Sequence, residues 1–69
     1  MINEMNSIAD VRKWLMQFRL VVYTKDRSVD LDLMEEEVRE AHAAGLMEQK
    51  MYQQALLIIK HEKNKLLDR

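Results

Sequence analysis

A chain of 69 residues with no proline and a single glycine has little of the chemistry that tight turns require. Hairpins and sandwiches reverse direction at Gly, Asn-Gly or Pro positions every few residues, so this composition argues against a sheet built of short strands. The chain is instead rich in Leu, Met, Glu, Lys, Gln and Ala, which are good helix formers. Its length suits one small domain, residues 1–69, which buries only about 60% of the surface its unfolded form exposes. The absence of cysteine rules out a disulfide framework and a thiolate metal site, as expected of a protein in a reducing cytoplasm. No apolar run is long enough to span a bilayer, and Glu4 stands where a signal peptide would be cationic. A cytoplasmic, all-α protein with no membrane association is expected.

Three amphipathic segments follow along the chain. Ser7 is a good N-cap, and Asp10 favours the positive end of the first helix. Ile8, Val11, Leu15, Phe18 and Val22 then recur at spacings of 3 and 4, the period of a helix with one apolar stripe. Trp14 and Val21 widen that stripe. Local preference would make Val21 to Thr24 a strand, but a lone strand leaves its backbone polar groups unmatched. The first helix is therefore expected to run to about Val22. Asp26, ahead of Thr24, is the preferred cap for a second helix with Leu31, Met34, Val38 and Ala41 facing inward. Gly45 closes it, because glycine enters the left-handed C′ conformation without a Cβ penalty. A third helix places Tyr52, Ala55, Ile59 and Leu66 on its stripe, with Leu56 and Ile58 beside them. The run "ALLII" is apolar all round, which calls for cover from both other helices or from a second copy. With short loops, helices at about 8–22, 27–44 and 48–67 make a three-helix bundle.

Charge is segregated along the chain. Residues 1–27 carry net +2, residues 28–48 net −6 and residues 49–69 net +3. In a compact bundle this layout pairs helices with one another, or it leaves one basic face for an anionic partner. Enzyme motifs are missing. The one glycine is at a helix end, so there is no phosphate loop. His61-Glu62 begins like a zinc-protease helix, but Lys65 stands where the second histidine belongs. The di-iron spacing fails too, with Arg39 and Ile58 three residues before His42 and His61. Ser7 and Ser28 have no base-and-orienter pair that sequence reveals. The acidic residues Asp30, Asp32, Glu35, Glu36, Glu37 and Glu40 lack calcium-loop spacing and read as the solvated first half of helix 2, with Glu35 paired to Arg39. No catalytic activity, cofactor, metal or small-molecule substrate is expected.

The remaining candidate lies beside the core stripe of helix 1. Arg12, Met16, Arg19 and Tyr23 are spaced 4, 3 and 4 apart and share one strip, which Lys25 and Arg27 extend into the loop. Cations for phosphates and an aromatic face for a base are what single-strand binding requires; a recognition helix for duplex readout is absent. The plainer reading is that Arg12 and Arg19 pair with Glu37 or Glu40 while Tyr23 packs. Lys60, Lys63 and Lys65 suit the negative end of helix 3.

The stretch from Val22 to Glu62, "VYTKDRSVDLDLMEEEVREAHAAGLMEQKMYQQALLIIKHE", with a shorter match at "DVRKWL", resembles the YqgQ-like family of small bacterial proteins. The Tyr-Thr-x-Asp-Arg loop followed by Leu-Met-Glu-Glu-Glu is its more specific part. Family members often carry Gly at the position of Lys25 and a less basic residue at that of Arg19, so this chain adds positive charge. The resemblance implies a cytoplasmic three-helix fold without known enzymatic activity. It also implies single-stranded nucleic-acid binding, with Tyr23, Asp26 and Arg27 at the matching positions; Asp26 is better placed to cap helix 2. The leading expectation is a binding protein that contacts single-stranded DNA or RNA through Arg12, Arg19, Tyr23, Lys25 and Arg27. The rival is a self-associating module, a homodimer using apolar surface of helix 1 or helix 3, suggested by Trp14, Met51 and "ALLII".

Overall fold

A computed structural model describes residues 5–18, 24 and 26–67. It is an all-α three-helix bundle: α1 spans Ile8–Gln17, α2 Arg27–Ala43 and α3 Gln49–Leu67. The most extensive contact is between α2 and α3, and α1 packs against both.

Each helix start has a local cause. The Ser7 hydroxyl accepts the Asp10 N–H, and the Asp10 carboxylate reaches back to the Asn6 N–H at 3.0 Å. The two bonds tie the N-cap and the residue before it to the first turn of α1. Asp26 caps α2 by accepting from the N–H groups of Ser28 and Val29. The α2–α3 turn is a Schellman closure. Gly45 adopts φ +80°, its N–H donates to the His42 carbonyl at 3.1 Å, and the Leu46 N–H reaches the Ala41 carbonyl at 2.9 Å. Across this turn the His42 ring stacks on Tyr52, centroids 4.0 Å apart and planes 6° off parallel. His42 Nε2 also lies 2.9 Å from Gln49 Oε1.

The core joins Val11, Trp14 and Leu15 of α1 to Leu31, Met34, Val38 and Ala41 of α2 and to Ala55 and Ile59 of α3. All four residues expected on the inner stripe of α2 are buried. On α3, Tyr52, Leu56, Ile58 and Leu66 are partly buried against that core. Met5, ahead of α1, and Met47, in the α2–α3 turn, are buried in the same cluster. Methionine's flexible thioether suits irregular gaps in a core.

Three expectations need correction. Phe18 does not continue the core stripe: it is the C-cap of α1, at φ −105° and ψ 12°, and its N–H turns back to the Leu15 carbonyl at 3.1 Å. Leaving helical geometry swings its ring out, so it is 40% exposed and leans on Trp14 at 4.5 Å. The part of helix 1 expected over residues 19–22 lies outside the described residues. Trp14 is buried in the core and contributes no surface patch, and Met51 packs partly buried against the core. Of the "ALLII" run, the bundle covers Ala55 and Ile59 but leaves Leu57 68% exposed. No helix among the described residues is long and apolar enough to cross a membrane.

Candidate functional site

Thr24 and the first turn of α2 fold around one carboxylate. Asp30 is buried, at 5% exposure. Its Oδ1 accepts the Thr24 N–H at 2.5 Å and the Thr24 hydroxyl at 2.7 Å. The hydroxyl has one proton, and the shorter, charge-assisted contact to Asp30 takes it in preference to the Asp26 carbonyl at 3.0 Å. The same hydroxyl oxygen accepts the Asp26 N–H at 3.1 Å. These bonds to Thr24 hold the Asp30 carboxyl below the usual carboxylate range, helped by the charges of Arg12 and Arg27 and opposed by burial.

Two of the five candidate cation and aromatic positions, Arg12 and Arg27, lie among the described residues. Arg12, half-buried on α1, and Arg27, the first residue of α2, both favour the ionised form of Asp30 through their charge. Glu37, the alternative partner for Arg12, has its carboxyl pushed up by burial and by the Glu40 and Glu36 carboxylates. Arg27 itself is paired: a terminal nitrogen donates to Glu62 Oε1 of α3 at 2.8 Å. Arg19, Tyr23 and Lys25 lie outside the described residues. Met16, on the same strip, is exposed.

A family model, YqgQ-like, matches residues 5–65. The chain belongs to the YqgQ-like family. Comparison with curated proteins gave no match, and comparison with solved structures gave none.

Elsewhere in this YqgQ-like chain the segregated charges pair helix with helix. Lys63 of α3 bridges Asp32 at 2.7 Å and Glu35 at 2.5 Å on α2. It is a clamp between helices, a role the helix dipole alone does not suggest. Its own pKa is raised, first by Asp32 and then by Glu35. Glu35 also takes Arg39 at 2.6 Å, the expected pair within α2. Glu62 holds Lys65 at 3.2 Å as well as Arg27, and these hydrogen bonds, Arg27's first, keep its carboxyl below the ordinary value. Among the described residues no three His, Asp or Glu converge on a point where they could hold a metal ion.

Two members of the site sit where the sequence does not put them. Asp30 groups by composition with the solvated acids, although its place four residues before Met34 puts it on the inner face. Phe18 continues the core stripe by spacing, yet it offers an exposed aromatic ring at the C-cap of α1. Periodicity carries no signal for where a helix stops.

Proposed function

We propose that this YqgQ-like chain is a small, non-enzymatic binding protein that contacts single-stranded nucleic acid, DNA or RNA, at the α1–α2 end of the bundle. Arg12, Arg19, Lys25 and Arg27 meet phosphates, and Tyr23 offers a face on which a base stacks, with the exposed Phe18 as a second. The observation that carries the reading is the bonding of the Thr24 N–H and hydroxyl to Asp30 Oδ1, which ties the residue between Tyr23 and Lys25 in sequence to the first turn of α2, where Arg27 stands. A titration of a labelled oligo-deoxythymidine strand at low and at moderate salt tests it. Affinity should fall steeply as salt rises, and Arg19→Glu with Arg27→Glu should abolish binding without unfolding the helices. Absence of binding at low salt would end the proposal.

A second reading, self-association through α3, has one specific observation in its favour. Leu57 stands exposed at the rim of an open groove of about 620 Å³ that also includes Ile8 and Ile58. Sedimentation would then show a dimer that Leu57→Glu dissociates; a monomer at high concentration would exclude it.

A further inference from the structure

We infer that Glu62 is a built-in competitor for phosphate at Arg27, so that α3 sets how strongly the loop end of the bundle holds a nucleic-acid strand. The inference rests on the nucleic-acid reading above and specifies how that site is regulated.

Arg27 is poorly placed for structural reasons alone. It is the first residue of α2, where the positive end of the helix dipole disfavours a cation. The cap of that helix is already supplied by Asp26, which accepts from Ser28 and Val29 at 2.9 and 3.3 Å. Arg27 therefore contributes no cap and stands in an unfavourable field. Glu62 offsets this by bringing a carboxylate from α3 to within 2.8 Å of the guanidinium.

The two partners are unequal. Glu62 is 14% exposed and is held by both of its oxygens, Oε1 to Arg27 and Oε2 to Lys65. Arg27 is 53% exposed and gives Glu62 one terminal nitrogen. A guanidinium has five N–H donors in a fork suited to paired oxygens, so a single contact leaves most of that capacity unused by Glu62. A phosphate approaching the open side meets a cation whose charge is already half-answered. It also meets a fixed carboxylate, with like charge, a few ångströms behind that cation. Glu62 thus lowers the affinity of the site and keeps Arg27 from gripping every anion, while a strand that also engages the other loop cations can displace it. Wherever Arg27 swings from Glu62 to a phosphate, Glu62 keeps Lys65 as its remaining partner, so the displaced carboxylate is not stranded.

The test is a double-mutant cycle read by binding of a labelled oligo-deoxythymidine strand to the full chain. Glu62→Gln keeps the shape and removes the charge. It should bind roughly three- to tenfold more tightly than the wild type at low salt, with a similar salt slope, because Arg27 reaches a phosphate in both complexes. In the Arg27→Gln background the same substitution should change affinity by less than about twofold, because Glu62 acts through Arg27. That background also separates the effect from the release of Lys65, which both arms of the cycle share. Weaker binding by Glu62→Gln would mean that Glu62 orients Arg27 instead of withholding it, and would overturn the inference. An unchanged affinity, or an equal gain in the Arg27→Gln background, would overturn it too, while leaving the nucleic-acid reading standing on the wild type's own binding. If neither wild type nor Glu62→Gln binds at low salt, both fall. A measurement without mutation guards against a variant that folds poorly. The Arg27 side-chain N–H resonances of the wild type should shift on titration with the strand in step with those of the Glu62 carboxylate carbon, as the pair separates. A Glu62 carboxylate signal that stays still while Arg27 moves would show phosphate added on the open side, and would refute competition.

Discussion

Among the described residues, Asp30 is the charged side chain that the fold keeps inside. Burying a carboxylate is costly unless its oxygens are hydrogen-bonded, and here Thr24 supplies both an N–H and an O–H to one oxygen. Removing the carboxylate leaves those two donors without it and frees the loop from α2. Asp30→Ala should therefore lower the thermal midpoint by several degrees more than Asp32→Ala, whose side chain is exposed; equal shifts would show that the Thr24 anchor is unimportant. The pH dependence has a definite sign. Bonding to Thr24 and the nearby arginines lower the folded pKa of Asp30 below its unfolded value of about 3.9. The ionised form is thus favoured by folding, and its contribution is present above about pH 4 and lost as pH falls through the lowered value. Glu35 and Glu62 behave in the same way, each lowered chiefly by a hydrogen bond from a cation, Lys63 and Arg27 respectively. Acid unfolding of Asp30→Asn should accordingly be shallower than that of the wild type. Spacing from Met34 places Asp30 on the inner face but does not give its partner. Thr24 lies in an irregular segment, and its approach to Asp30 depends on the path of the loop.

The helix ends marked by a capping residue are the most legible part of the chain, because such capping is decided within three or four residues; the end of α1, which has no such residue, is not among them. Ser7, Asp26 and Gly45 all stand where their chemistry implies. Gly45 sits at φ +80° with open space where a Cβ would stand, so a substitution there meets conformational strain and no clash. Gly45→Ala should cost about 1 kcal/mol and Gly45→Asn less, read by urea unfolding; no change for alanine would mean that the turn had relaxed out of the left-handed region. What joins one helix to the next is less legible. Lys63 lies three residues from Lys60 on the same helix, yet it is Lys63 that spans to Asp32 and Glu35, because only the packing register of α2 on α3 selects it. Lys63→Met keeps the apolar stem and removes the clamp. Partly exposed pairs of this kind are worth up to about 1 kcal/mol each, so a loss of roughly 1 kcal/mol is expected, smaller in high salt. Lys63 has a raised folded pKa, so its contribution is complete below about pH 10.4, its unfolded value, and is lost as pH rises through the folded one. The variant should lose that alkaline limb; retention of it would assign the clamp elsewhere.

At the scale of the whole molecule, part of the segregated charge among the described residues serves internal pairing. Arg27, Arg39, Lys63 and Lys65 all answer carboxylates of the same chain. A net charge of −1 then gives no long-range attraction toward nucleic acid, and binding has to come from cations gathered in one place. Arg12, Arg19, Lys25 and Arg27 are the four cations of the proposed interface. If each neutralises one phosphate of a single strand, the logarithm of affinity should fall against the logarithm of salt with a slope of about −3. Raising salt from about 50 to 200 mM should then weaken binding roughly fiftyfold. A slope near −2 would mean that Arg27 stays with Glu62 or that Arg12 meets no phosphate in the complex, and the two are separable because Glu62→Gln restores only the first. A slope near zero would mean that stacking, without phosphate contacts, holds the strand, and the basic strip would then be surface charge with no part in binding. A slope well beyond −4 would require further cations from α3, such as Lys60, and would move the interface across the bundle to that helix.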